Sequence, residues 1–107
     1  MEEQNKNIEE MQILEQKLQN LFLQKQSFQM ELSETQTALK EIENSGDDIF
    51  KVVGQLMIKT EKLKVNEELS NKEKILDLRM KSIEKQESSL MEELGKLRDK
   101  VMKTMKK

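Results

Sequence analysis

The chain has 107 residues and a formal net charge of −2. Charged residues make up 37% and hydrophobic residues 35%, whereas an ordinary globular domain is roughly 45–50% apolar and about 25% charged, so this chain cannot enclose a large core of its own. It contains no Cys, His, Trp, Tyr or Pro, which excludes disulfide frameworks, zinc sites, thiol catalysis and imidazole acid–base catalysis.

The first predicted element, residues 1–43, is a long amphipathic helix. Eight of its ten heptad a and d positions are apolar, a density typical of a coiled-coil seam. We use "seam" for the a and d positions of both helices. The a positions are Met11, Leu18, Lys25, Leu32 and Leu39, and the d positions are Leu14, Leu21, Phe28, Thr35 and Ile42.

The second element, residues 44–65, breaks this pattern. A turn cluster, Asn-Ser-Gly-Asp-Asp, is followed by a β-prone stretch that predicts strands at about Ile49–Val53 and Leu56–Thr60. Gly54 at the first central position of the two-residue loop is typical of a type II′ turn. Both faces of this β-hairpin would be largely apolar, and an isolated hairpin is marginal in water.

The hairpin therefore needs partners, most simply similar hairpins from other subunits. The alternative is a capping loop that packs on the base of its own helices. The apolar residues that we predict to mediate oligomerisation are Ile49, Phe50, Val52, Val53, Leu56, Met57 and Ile58.

The third element, residues 66–107, is a second long helix with a less regular heptad. Eight of its twelve a and d positions are apolar. Gly95 lies inside this helix at position b, where it is either a tolerated exposed residue or a point that loosens the helix. The d positions are Leu69, Leu76, Ile83, Leu90, Leu97 and Thr104, and the a positions are Asn66, Glu73, Met80, Glu87, Leu94 and Val101.

The two helices match in length, so we predict that they fold back as an antiparallel coiled-coil hairpin. A register in which paired residue numbers sum to 108 aligns apolar with apolar positions, and it places Thr35 opposite Glu73 and Lys25 close enough to Glu87 to neutralise it. The acidic start of the first helix would lie beside the basic end of the second, which also suits the dipole of each helix. The predicted fold is thus mainly α, with one central β-hairpin.

These residues resemble the β-class subunit of prefoldin, a hexameric co-chaperone, and the archaeal form in particular. The resemblance covers about residues 8 to 105. Its most specific parts are the hairpin segment Phe-Lys-Val-Val-Gly-Gln-Leu-Met-Ile-Lys at 50–59 and the run Leu-Asp-Leu-Arg-Met-Lys-Ser-Ile-Glu-Lys-Gln-Glu at 76–87. A single hairpin points to the β class, because α-class subunits have a doubled insert. Phe50 stands where the family often has Tyr.

The resemblance implies a cytoplasmic assembly of two α and four β subunits in which the hairpins form a β-barrel platform. It also implies that non-native proteins are held by the helix tips and passed to a group II chaperonin. The partners would be α-class subunits, other copies of this chain, clients and the chaperonin, with no cofactor.

The tips are the predicted client surface. Beyond the Met11–Leu97 pair, Asn7 faces Val101 and Gln4 faces Thr104 in the chosen register, so we expect the helices to be partly splayed there. Met suits such a surface because its flexible, polarizable chain adapts to varied shapes. The predicted client-binding residues are Ile8, Met11, Ile13, Val101, Met102 and Met105.

Other functions fit the sequence less well. No phosphate-binding loop or metal-ligand spacing is present, so an enzyme is not expected. The net charge of −2 and only three aromatic residues argue against nucleic-acid binding. The serious alternative is a purely structural coiled-coil spacer or tether, which would share the helices but would not need a hairpin with two apolar faces.

Overall fold

The computed structural model describes the backbone of residues 2–105 and the side chains of residues 2–104. The elements follow the order α1 (Glu2–Asn44), β1 (Ile49–Val53), β2 (Leu56–Thr60) and α2 (Lys62–Met105). The two strands have the predicted bounds. Helix α2 begins at Lys62, four residues before the expected position, because the carbonyl of Glu61 already accepts the first helical hydrogen bond from the Val65 amide, at 3.1 Å.

The tertiary contacts divide the chain into two units. The terminal unit comprises residues 2–27 and 80–105 of the described chain, and the hairpin unit comprises residues Phe28–Arg79. In each unit α1 and α2 run antiparallel.

The core of the hairpin unit lies on the predicted seam. Leu32 and Leu76 are both buried, and Thr35, a polar seam residue, is also buried. The hydroxyl of Thr35 donates to the carbonyl of Glu31 at 2.8 Å, so burial leaves this polar group satisfied. An ion pair between Lys72 and Glu31, at 3.4 Å, crosses from α2 to α1.

The core of the terminal unit continues the same pattern. Leu14 and Leu94, which pair in the predicted register, are both buried. Lys25, a charged a position, donates to Glu87 at 3.3 Å, which confirms the predicted neutralisation. The side chain of Glu87 is only 18% exposed, so this contact places the carboxylate beside its cation where water is scarce.

The β-hairpin is a two-stranded antiparallel sheet within the hairpin unit. Its register pairs Ile49 with Thr60 and Val53 with Leu56, as the predicted turn requires. Gly54 has a φ of 62°, and no described non-glycine residue has a positive φ. A type I′ turn needs positive φ at both central residues, so the turn is consistent with the predicted type II′.

Candidate functional site

Two regions carry the exposed apolar side chains that the sequence predicts to be functional. The first, called the hairpin surface, comprises the seven predicted oligomerisation residues. Six of them are between 48% and 69% exposed, and only Ile49 is half-buried. The six exposed members are Phe50, Val52, Val53, Leu56, Met57 and Ile58.

The hairpin surface is two-sided. The strand register places Val52 opposite Met57 on one face and Val53 opposite Leu56 on the other. Neither face is covered by the helices of its own unit, so the capping-loop alternative is not what the structure shows. Instead, a groove of about 410 Å³ remains open beside β1, with Ile42, Val65 and Leu69 among its lining residues.

Polar contacts hold the hairpin on the helices of its unit. Lys51 on β1 forms an ion pair with Glu68 on α2 at 3.3 Å. Lys62, at the start of α2, donates to the carbonyl of Ser45 at 2.9 Å and so joins the two ends of the insert. Exposed pairs contribute only about 0–1 kcal/mol each, so they orient the hairpin more than they stabilise it.

The second region is the terminal unit, where the expected splaying is wrong for the described residues. Asn7 is 7% exposed and Val101 is 8% exposed, so the seam continues beyond Met11 and Leu97. Asn7 occupies position d and Val101 position a, and a small amide beside a β-branched side chain still fills a seam layer. The predicted seam ended at its last apolar pair because Asn7 is polar.

The predicted client-binding residues therefore separate into three groups. Ile8, Ile13 and Met102 are exposed, at 38%, 55% and 53%. Met11 is half-buried and Val101 is buried, because both are seam residues. The side chain of Met105 lies outside the described residues.

The exposed residues lie on opposite flanks of the seam. In an antiparallel coiled coil, e positions of the two helices face each other on one flank and g positions on the other. Ile8 and Met102 hold positions e and b, on the first flank. Ile13 lies on the second flank, beside a groove of about 240 Å³ that Lys17 and Glu93 also line.

Sequence reasoning missed two exposed residues of the first flank, Phe22 and Met91, which are 51% and 63% exposed. Both hold position e, and an apolar residue at e was the signal that could have identified them. They line a groove of about 400 Å³, called the lateral groove. Its lining includes Leu18, Phe22, Met91, Leu94, Gly95 and Arg98.

The sequence predicts that the opposite charges of the two helix ends lie side by side. No ion pair within residues 2–104 joins the acidic start of α1 to the basic end of α2, although Lys96 pairs with Glu92 along α2 at 3.9 Å.

Within the described residues the structure has neither a cluster of possible metal ligands nor a membrane-spanning helix. No group of three or more acidic side chains there converges on a possible ion site. Neither α1 nor α2, as far as they are described, contains an apolar stretch long enough to cross a bilayer.

Comparison with known proteins agrees with this geometry. The family model described as "Prefoldin subunit" matches residues 5–107. The chain is 42% identical over 94 residues to the prefoldin subunit beta of Thermococcus onnurineus, covering 86% of this chain and 81% of the relative. It is 45% identical over 80 residues to the corresponding subunit of Thermococcus gammatolerans, covering 73% and 68%.

A solved structure matches equally well. The crystal structure of the prefoldin beta subunit from Thermococcus strain KS-1 superposes with a TM-score of 0.87 at 36% sequence identity, covering 95% of this chain and 91% of that one.

Proposed function

The chain belongs to the prefoldin family of chaperone subunits, with its β subunits as relatives, and from that premise we propose that it is a cytoplasmic co-chaperone subunit that holds non-native proteins. In this proposal two α-class subunits and four copies of this chain form the hexamer. The hexamer keeps clients from aggregating and passes them to a group II chaperonin. The family is a class of chaperone and not of enzymes.

The observation that carries the proposal is the hairpin surface. Six apolar side chains at 48–69% exposure on ten strand residues form a patch that a soluble monomer rarely leaves open. The outer edge of each strand also presents unpaired backbone groups, which favours pairing with further strands. A spacer or tether needs no such surface, whereas an assembled platform does.

Client binding is assigned to the exposed apolar residues of the terminal unit. Ile8, Ile13 and Met102 are accessible as the unit stands. Met11 and Val101 are part of the seam, so they would contribute only if the helix ends separate on contact with a client. Met105 remains a member of the proposed surface on sequence grounds.

The test is suppression of the aggregation of a chemically denatured protein by the hexamer reconstituted with an α-class subunit. Replacing Ile8, Ile13 and Met102 together with Ser is expected to weaken suppression while the hexamer stays intact. The matched control replaces Leu23 and Met30, exposed at heptad position f, with Ser, and is expected to behave as wild type.

Two outcomes would contradict the proposal. Undiminished suppression by the triple variant, with an intact hexamer, would remove the client role from these residues. Failure of the wild-type chain to form any heteromeric assembly with an α-class subunit would favour the structural spacer.

A further inference from the structure

We propose that the lateral groove is an anchor site for a bulky apolar side chain of the client, and that Arg98 selects client segments in which this side chain neighbours a carboxylate. The inference rests on the proposed function and names the class of segment that one site of the terminal unit would take.

The shape of the lateral groove suits one large apolar side chain. Leu94 is buried and Leu18 is half-buried, so they form its floor, while Phe22 and Met91 stand exposed as its walls. The volume of about 400 Å³ falls at the lower end of the range of roughly 300–1,000 Å³ that is usual for ligand sites. Met91 adds a flexible wall that can adapt to different side chains.

Gly95 keeps the lateral groove open. A Cβ built at this position would meet no atom within 4 Å, so packing inside the chain does not require glycine there. Glycine inside a helix costs about 1 kcal/mol relative to alanine. The residue therefore weakens α2 without a packing reason, and the space it leaves belongs to the groove.

The charges around the lateral groove favour an anionic neighbour. Glu87 also lines it, but Lys25 neutralises this carboxylate at 3.3 Å. Arg98 makes no ion pair or hydrogen bond with the described residues. Glu15, which holds position e on the same flank, does not pair with it either. A guanidinium group offers a planar pair of donors that matches a carboxylate, and it remains available for the client.

The experiment measures binding of fluorescent peptides to the full-length chain. The peptides share a Gly-Ser background with one Phe, followed by a pair of Glu, Gln or Lys residues. Because exposed ion pairs contribute about 0.2–1 kcal/mol, the Glu peptide is expected to bind roughly 1.4- to 5-fold more tightly than the Gln peptide, and the Lys peptide is expected to bind most weakly.

Two variants and one matched control localise the effect. Arg98→Gln is expected to abolish the preference for Glu, whereas Lys100→Gln, the same loss of charge at position g on the other flank, should leave it unchanged. Gly95→Phe fills the lateral groove and is expected to lower the affinity for all three Phe peptides by about tenfold. This corresponds to the smaller end of the free energy gained by burying a Phe side chain.

Equal affinity for the three Phe peptides would overturn the inference, as would wild-type binding by both Arg98→Gln and Gly95→Phe. The aggregation assay separates this failure from that of the proposed function. If the wild-type hexamer suppresses aggregation while the peptides show no preference, only the selective groove is rejected. If the wild-type hexamer does not suppress aggregation, both proposals fall.

Discussion

The hairpin surface and the flanks of the terminal unit expose apolar side chains in different ways. On the hairpin surface they are contiguous and lie on both faces of a sheet, with Val52 and Met57 paired across the strands at 67% and 69% exposure. In the terminal unit they are separated along two helices that flank a closed seam, as with Ile8 and Met91 at 38% and 63%.

This difference indicates two kinds of contact. A contiguous apolar patch on both faces of a sheet favours a partner that stays bound, because exposing so much apolar surface to water is unfavourable in free energy. Separated side chains on flanks cost little when exposed, since single apolar residues are common on protein surfaces. The hairpin surface therefore suits lasting assembly, and the flanks suit contacts that form and break.

The largest effect is expected from a charged substitution in the hairpin surface. Met57→Lys would bury an unpaired charge against a partner strand, which costs several kcal/mol, so we expect assembly with an α-class subunit to weaken by more than about a hundredfold. Helical content should not change, because Met57 is exposed in the single chain. Size-exclusion chromatography with light scattering measures assembly, and circular dichroism measures helicity.

Met30→Lys is the matched control, since Met30 is 67% exposed on α1. We expect it to assemble normally. A Met57→Lys chain that forms the hexamer at wild-type concentrations would show that the hairpin surface is not the assembly surface.

The next effect concerns the seam that both units share. Leu76 is 3% exposed, and Leu76→Ala is expected to lower the free energy of unfolding by about 2–5 kcal/mol. Leu78→Ala, at a position that is 67% exposed, should change it by less than about 0.5 kcal/mol. Urea unfolding followed by circular dichroism, with both variants in the same assembly state, tests this. Equal shifts for the two variants would mean that the seam does not carry the stability of the helices.

The smallest effect is a gain in the terminal unit. Gly95→Ala should raise the free energy of unfolding by about 0.5–1 kcal/mol, because alanine is the better helix former and its Cβ meets nothing within 4 Å. The same change at Gly54, whose φ is 62°, should instead destabilise the turn by about 1–2 kcal/mol. Thermal unfolding measures both. A loss of stability in Gly95→Ala would contradict the view that this glycine has no packing role.

Much of the fold follows from patterns that are local in the sequence. The heptad specified which residues enter the seam, and Leu32 and Leu76 are buried as their positions require. The two strands and their turn were also predictable, because Gly54 lies between two β-prone runs and can adopt the positive φ that a tight hairpin turn needs. The contact between Lys25 and Glu87 followed once the antiparallel register was chosen.

Two features were decided only by tertiary packing. Whether the seam stops at Met11 or continues to Asn7 depends on how well a small amide fits beside Val101. This fit cannot be predicted from the polarity of the two residues alone. The lateral groove is lined by Phe22 and Met91, two position e residues that are far apart in the sequence. Gly95, which has no side chain, leaves space beside them. Period and composition determine which side of a helix is buried, but a cavity between two helices exists only once both are in place.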